Sequence, residues 1–183
     1  GLAWYVPRAF IPLTWNDQRT FLRVGSACYF GTVYVNGTRI GVHEGGHLPF
    51  AFEITDHIQW GEENVIAISV ENELKPTRVP SGNMPGGSAM NMFASTPATT
   101  FDFFPFAGID RPVVLYTVPQ TFIEDVTVVT EISGSDGIVK LKVKLNAAVS
   151  GQGSAQLLGG DAPLTAGLGF NGGVAEAVLR VPA

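Results

Sequence analysis

Residues 43–47 (HEGGH) have the residue types and spacing of a zinc-binding motif of metalloproteases. In that motif a helix places two histidines on one face, where both bind the metal while the glutamate activates a water molecule. Here two glycines lie between the histidines, and each costs about 1 kcal/mol relative to alanine in a helix. A third ligand is also missing at a suitable spacing, since the only other histidine is His57 and the only cysteine is Cys28. We therefore predict a loop between strands and no metal site.

Glu71 and Glu73 form a second candidate site, because glycosidases use a pair of carboxyl groups. A retaining glycosidase holds these groups about 5 to 5.5 Å apart, on either side of the bond that is cleaved. In one strand, by contrast, side chains two positions apart project in parallel from Cα atoms about 6.5 to 7 Å apart. No opposing wall would hold a sugar between them. We therefore predict that this pair lies on a solvated face.

Asp102 is the third candidate, at the end of an irregular stretch, residues 76–100, that is rich in Pro, Gly, Ser and Thr. The aromatic residues around it are Phe101, Phe103, Phe104 and Phe106. A carboxylate in this setting could bind sugar hydroxyls while a ring packs against the pyranose. Alternatively, Asp102 caps a turn and the phenylalanines belong to an ordinary core. The residue types alone leave both interpretations open.

Composition excludes several other functions. The formal net charge is −5, from 11 basic and 16 acidic residues, which argues against a nucleic acid or an anionic membrane as partner. No run approaches the ~18 apolar residues of a membrane-spanning helix. The sequence also lacks a G-x-S-x-G nucleophile motif and a phosphate-binding glycine motif between strand and helix. We therefore expect neither a cofactor nor serine hydrolase chemistry.

Strands must position any of these residues, because apolar residues alternate with period two and no window shows the 3.6-residue period of a helix. We predict a nearly all-β fold. The Asn36-Gly37 pair between alternating apolar residues indicates a hairpin with a type I′ turn, and the apolar run at 64–70 indicates a central strand. After Val118 the pattern changes. The further strands predicted there, in a second domain, are residues 123–132, 138–145 and 174–181.

Five stretches of the sequence carry a family resemblance. In chain order they are Trp4-Tyr5, Gly31-x-Val33-x-Val35-Asn36-Gly37, His43-x-Gly45-Gly46-x-x-Pro49-Phe50, Val70-x-Asn72-Glu73-Leu74, and Asp102-Phe103-Phe104-x-x-Ala107-Gly108-Ile109-x-Arg111-Pro112-Val113. Together they resemble the amino-terminal part of glycoside hydrolase family 2, most closely its β-glucuronidases. Their unbroken order makes this resemblance more specific than any single motif.

The resemblance implies an all-β chain with two domains. A jelly-roll (galactose-binding-like) β-sandwich is expected at residues 1–118, without its first strands, followed by part of an immunoglobulin-like β-sandwich at residues 119–183. In the family a TIM barrel comes next and carries the two catalytic glutamates. This chain is therefore expected to hold no catalytic residue and to be inactive alone.

The resemblance also implies roles for individual residues. In the family the aspartate at the position of Asp102 contacts sugar hydroxyls at the mouth of the barrel, which favours the functional interpretation of this residue. Phe103 and Phe104 are expected to support its loop, as is Arg111 through a charge-assisted hydrogen bond.

The partners implied by the resemblance are a β-glucuronide or related β-glycoside substrate, the family's TIM barrel, and further copies of the chain in a homotetramer. Two alternatives stay open from the sequence. One is a stand-alone carbohydrate-binding or interaction module built on the same sandwich. The other is a fragment of a β-galactosidase or β-mannosidase relative.

Overall fold

The computed structural model describes residues 1–75, 77–79, 106–159 and 162–182. The chain divides into two compact units, Gly1–Val118 and Pro119–Ala183. Within the described ranges every regular element is a strand, apart from two short 3-10 helices, so the all-β prediction is confirmed. In the same ranges no helix is long and apolar enough to cross a membrane.

Eight strands of the first unit form two antiparallel sheets. The strands are β1 (Leu2–Tyr5), β2 (Arg8–Ile11), β3 (Arg19–Val24), β4 (Phe30–Val35), β5 (Thr38–Glu44), β6 (Phe50–Glu53), β7 (Glu62–Glu71) and β8 (Val113–Val118). The 3-10 helices are Leu13–Trp15 and Thr55–His57. In the larger sheet β7 pairs with β1, β2 and β4, and β5 pairs with β4. The smaller sheet has the order β6-β3-β8.

The core of the first unit joins both sheets, because its buried residues alternate along β3, β4 and β7. They are Leu22, Val24, Val33, Val35, Ile66, Ile68 and Val70, together with Ala27 and Ile54 between strands. Fully burying one large aliphatic side chain contributes roughly 1.5 to 3 kcal/mol. The prediction of a central strand at residues 64–70 is confirmed, since β7 lies between β1 and β4 in the sheet.

The hairpin of β4 and β5 has the predicted turn. Asn36 and Gly37 have φ values of 48° and 83°, and a type I′ turn needs positive φ at both central positions. The Asn36 side chain also holds the turn against β7. Its Nδ2 donates to Asn64 Oδ1 at 2.8 Å, and its Oδ1 accepts the amide of Val65 at 2.9 Å.

Five strands of the second unit form two small antiparallel sheets, in the orders β9-β10-β13 and β11-β12. They are β9 (Ile123–Ser133), β10 (Asp136–Leu145), β11 (Gly151–Leu157), β12 (Leu164–Phe170) and β13 (Val174–Val181). Val143, Leu168 and Ala175 form the buried cluster of this unit. The three predicted strands correspond to β9, β10 and β13. Strands β11 and β12 were not predicted from the sequence.

Candidate functional site

The HEGGH segment is a strand end and a turn. His43 and Glu44 are the last residues of β5, and the chain then turns through residues 45–49 and enters β6 of the other sheet. The His43 ring stacks on Phe50, with centroids 4.3 Å apart and an interplanar angle of 18°. The predicted loop between strands is therefore confirmed. In the part of the chain that the structure describes, no group of three or more His, Cys, Asp or Glu side chains could hold a metal ion.

Glycine is needed at both middle positions of this segment. Gly45 has a φ of +137°, a conformation that residues with a side chain rarely adopt. At Gly46 a Cβ atom would overlap the ring of Tyr29, which is buried and cannot move aside freely. The glycine pair that argues against a helix thus has a positive role in the turn.

A cluster of polar side chains packs against the turn. We call Ser26, Cys28, His47 and Asp110 the polar cluster. The Ser26 hydroxyl donates to the carbonyl of Gly46 at 2.5 Å. The Cys28 Sγ lies 3.9 Å from both His47 Nδ1 and Asp110 Oδ1.

The pKa shifts of Cys28 and Asp110 are consistent with a structural role for the polar cluster. Burial raises the pKa of the Cys28 thiol, which keeps the sulfur protonated and weakly nucleophilic. The pKa of Asp110 is lowered, first by hydrogen bonding with Ser26 and further by the positive charge of Arg111. Asp110 is therefore a carboxylate at neutral pH, held beside a neutral thiol. Sequence reasoning missed this cluster because its members are up to 84 positions apart, from Ser26 to Asp110.

Residues 108–112 are fixed against the same region. The amide of Cys28 donates to Gly108 O at 2.8 Å, and the amide of Gly25 donates to Pro112 O at 3.0 Å. Arg111 is exposed, and its Nη1 donates to the carbonyl of His47 at 3.2 Å. The structure thus brings Arg111 to the 43–47 turn. Its expected role in supporting the Asp102 loop stays a prediction.

Arg78 is the centre of a second polar network, which sequence reasoning also missed. Its side chain is 5% exposed, and Nε and Nη2 donate to Glu44 Oε1 at 2.8 Å and Glu71 Oε2 at 2.7 Å. The remaining Nη1 donates to the carbonyl of Glu73 at 2.8 Å. The guanidinium carbon also lies 5.2 Å from the centroid of the Phe30 ring. Arg78 is therefore buried and donates hydrogen bonds to three separate acceptors. It differs in this respect from an ion pair on the protein surface, which is exposed to water.

Glu71 and Glu73, the predicted carboxylate pair, have different environments because, of these two carboxylates, the Arg78 network binds only that of Glu71. Glu73 is 58% exposed, as predicted for a solvated face. Glu71 is only 27% exposed, so the prediction is wrong for this residue. Hydrogen bonds from Arg78 and Lys75 lower the pKa of Glu71 to about 2. A carboxylate held so firmly in its charged form is unsuited to proton transfer near neutral pH.

The three residues predicted to form the sugar-contacting loop, Asp102, Phe103 and Phe104, lie outside the described residues. The nearest described residue along the chain is Phe106. Its ring meets His47 edge-on, with centroids 6.4 Å apart. The chain that leaves the Asp102 region thus contacts the 43–47 turn within a few residues.

Comparison with known proteins assigns the family. Residues 1–119 match the family model described as glycosyl hydrolases family 2, sugar binding domain. The chain therefore belongs to glycosyl hydrolase family 2. Among curated proteins it is similar to β-glucuronidases. The identity is 35% over 190 residues for that of Rattus norvegicus and 32% over 191 residues for that of Homo sapiens. Each alignment covers 100% of this chain and 29% of the relative.

Solved structures give the same assignment. The β-D-glucuronidase of Dictyoglomus thermophilum superposes with a TM-score of 0.79 at 33% identity, covering 100% of this chain and 31% of that one. A β-glucuronidase from an uncultured Clostridium sp. gives 0.81 at 31% identity, covering 100% and 30%. The predicted fold class, a jelly-roll sandwich followed by part of an immunoglobulin-like sandwich, is confirmed by this likeness. The chain spans less than a third of the length of the relatives it matches.

Proposed function

We propose that this chain is the non-catalytic scaffold of a retaining β-glucuronidase that hydrolyses β-D-glucuronides. One observation carries the proposal: the whole chain is similar to β-glucuronidases yet spans only 29% of their length. In a retaining mechanism one carboxylate attacks the sugar, while a second carboxyl group protonates the leaving oxygen and later activates water. Both groups belong to a TIM barrel outside this chain. The chain alone is then inactive, and the assembled enzyme is a homotetramer.

Within this proposal Asp102 completes the pocket for the sugar that is cleaved off. A carboxylate can accept hydrogen bonds from hydroxyl groups of the sugar that do not take part in the reaction. These hydrogen bonds would fix the position of the sugar relative to the barrel. The described residues support the assignment through chain length. Asp102 is only four positions before Phe106 in the chain, and the ring of Phe106 contacts His47 of the 43–47 turn. Phe103, Phe104 and Arg111 are assigned to the support of this segment.

The test is a comparison of Asp102→Ala with Glu73→Ala in the polypeptide that includes the barrel. A charge-assisted hydrogen bond contributes about 1.5 to 3 kcal/mol, so loss of Asp102 should reduce kcat/KM for an aryl β-D-glucuronide by roughly 10- to 100-fold. Glu73→Ala removes an exposed carboxylate and should change kcat/KM by less than about 3-fold. Equal effects of the two substitutions would contradict the role given to Asp102.

A further inference from the structure

The sequence contains two Asn-Gly pairs, at residues 36–37 and 171–172. Asparagine is one of the thermally labile residues of proteins. Before glycine it can react with its own backbone, because glycine has no side chain to keep its nitrogen away from the asparagine carboxamide. Both pairs lie in tight turns between strands, so the sequence alone does not distinguish them. The hydrogen bonds of the two asparagine side chains do.

The carboxamide of Asn36 is held by three hydrogen bonds. Its Nδ2 donates to His57 O at 2.9 Å and to Asn64 Oδ1 at 2.8 Å, which uses both of its hydrogens. Its Oδ1 accepts the amide of Val65 at 2.9 Å. To bring Cγ against the nitrogen of Gly37, the side chain would have to release all three hydrogen bonds together.

The carboxamide of Asn171 is not held in this way. Asn171 is exposed, and its side chain forms no hydrogen bond within the ranges that the structure describes. Gly172 is exposed as well, and apart from its chain neighbours no heavy atom lies within 4 Å of the place that a Cβ atom would take. The carboxamide can therefore rotate towards the Gly172 nitrogen without breaking a hydrogen bond.

The backbone around Asn171 forms a crossing between the two sheets of the second unit. Gly172 and Gly173 have φ values of 57° and 79°, as a type I′ turn requires. Asn171 and Val174 pair on either side of this turn. The amide of Asn171 donates to Val174 O at 3.0 Å, and the amide of Val174 donates to Asn171 O at 3.2 Å. This pair joins the end of β12 to the start of β13, which belong to different sheets.

We propose that Asn171 is a site of spontaneous modification to isoaspartate, and that the hairpin protects Asn36 from the same reaction. The Gly172 nitrogen attacks Asn171 Cγ and loses its proton, the carboxamide nitrogen leaves as ammonia, and a cyclic succinimide forms. Water then adds to one of the two imide carbonyls and opens the ring. One product is an ordinary aspartyl peptide. The other is isoaspartate, in which the main chain runs through Cβ and Cγ. One water enters, one ammonia leaves, and no redox partner is needed.

Isoaspartate at residue 171 disturbs the crossing between the sheets. It adds one carbon atom to the main chain. It also converts the Asn171 carbonyl that accepts the Val174 amide into part of a free carboxylate. Ordinary aspartate adds the same charge but leaves the main chain unchanged. The exchange rate of the Val174 amide hydrogen therefore distinguishes the two products.

The first experiment is ageing of the 183-residue chain in mildly alkaline buffer, followed by peptide mapping with mass spectrometry. Asn171 should deamidate at least about 10-fold faster than Asn36, because three hydrogen bonds protect Asn36. In concentrated urea the two rates should agree within about 3-fold, because the unfolded chain lacks these hydrogen bonds. Asn171→Gln is the matched control. It cannot form the five-membered ring, so the modification at residue 171 should disappear while the rate at Asn36 stays the same.

The second experiment measures amide hydrogen exchange in the aged chain. The Val174 amide should exchange about 10-fold or more faster in the isoaspartate fraction than in fresh protein. Asn171→Asp adds the charge without the extra carbon and should change this rate by less than about 3-fold.

Equal deamidation rates at Asn36 and Asn171 in the folded chain would overturn the proposal. So would an Asn171 that stays intact in the folded chain while both sites react in urea, or a product at residue 171 that is ordinary aspartate alone. A Val174 amide that exchanges at the same rate in the isoaspartate fraction as in fresh protein would overturn the effect assigned to the crossing. None of these measurements depends on sugar hydrolysis, so they leave the proposed function untouched.

Discussion

Glycine at position 46 is required by its contact with Tyr29. The Tyr29 ring is buried, and a methyl group on residue 46 would overlap it. The neighbouring Gly45 is fixed for a different reason, its φ of +137°. The residues that resemble a metal-binding motif therefore have another role in this chain, because the two glycines let the backbone turn closely over an aromatic ring.

Gly46→Ala should reduce the free energy of unfolding by about 1 to 3 kcal/mol, the usual cost of inserting a methyl group into a packed site. Gly31→Ala is the matched control in the same unit. A Cβ there would lie 3.4 Å from Ala27 Cβ, an ordinary contact, so the effect should stay below about 1 kcal/mol. Urea denaturation of the 183-residue chain measures both. Equal effects would mean that the Tyr29 ring yields easily.

Asn36 is exposed, yet its side-chain amide forms hydrogen bonds that stabilise the fold. Its Nδ2 gives its two hydrogens to His57 O at 2.9 Å and to Asn64 Oδ1 at 2.8 Å. Asn36-Gly37-Thr38 also fits the N-glycosylation sequence. A glycan on Nδ2 would replace one of these hydrogens and remove one of the two hydrogen bonds. In this fold the side-chain amide of Asn36 therefore stabilises the hairpin of β4 and β5.

At the scale of elements, β7 links the core to the Arg78 network. Its interior residues pack into the core, and its last residue, Glu71, is held as a carboxylate by Arg78 and Lys75. The pKa of Glu71 is about 2 in the fold, against an ordinary value of 4.5. The unfolded chain thus takes up a proton at a higher pH than the folded chain does. The stability that Glu71 contributes is present above pH 4.5 and is lost as the pH falls towards 2.

Glu71→Gln should therefore flatten the acid side of the stability profile. Between pH 5 and pH 2.5 the wild-type chain should lose more free energy of unfolding than the variant, as measured by urea denaturation at each pH. Arg78→Met should show a similarly flattened profile, because it removes the main cause of the lowered pKa. A variant profile as steep as that of the wild type would show that Glu71 gains no stability from its partners.

Strands and turns could be predicted from the sequence where the local residue pattern agrees with the burial of the side chains. The Asn36-Gly37 turn and the apolar run of β7 are such cases. By contrast, β11 and β12 were not predicted, because Gly151, Gly153, Gly167 and Gly169 lower strand propensity. The apolar residues of β12 do alternate with period two, but the glycines between them obscure the pattern. These strands form because each pairs with the other along its whole length. The Arg78 network and the polar cluster could not be predicted either, since they join residues that meet only after the sheets form.

At the scale of the whole molecule, family membership could be predicted because several motifs in a fixed order are more specific than any single motif. HEGGH alone suggests a protease, and Glu71 with Glu73 alone suggests a glycosidase centre in this chain. Neither holds. The order of five stretches led to glycosyl hydrolase family 2, which the match to residues 1–119 confirms. The sugar-contacting role of Asp102 stays a prediction, because that residue lies outside the described ranges.

Titration of the 183-residue chain with D-glucuronate, followed by calorimetry, distinguishes a scaffold from a stand-alone sugar-binding module. A binding pocket usually buries 70 to 90% of its ligand, and in the scaffold proposal the barrel supplies most of that surface. We therefore expect no saturable heat at millimolar glucuronate, and the same flat trace for the Asp102→Ala chain. Saturable heat that disappears in Asp102→Ala would contradict the scaffold proposal. It would mean that this chain forms a complete sugar site by itself and that Asp102 binds sugar without a barrel.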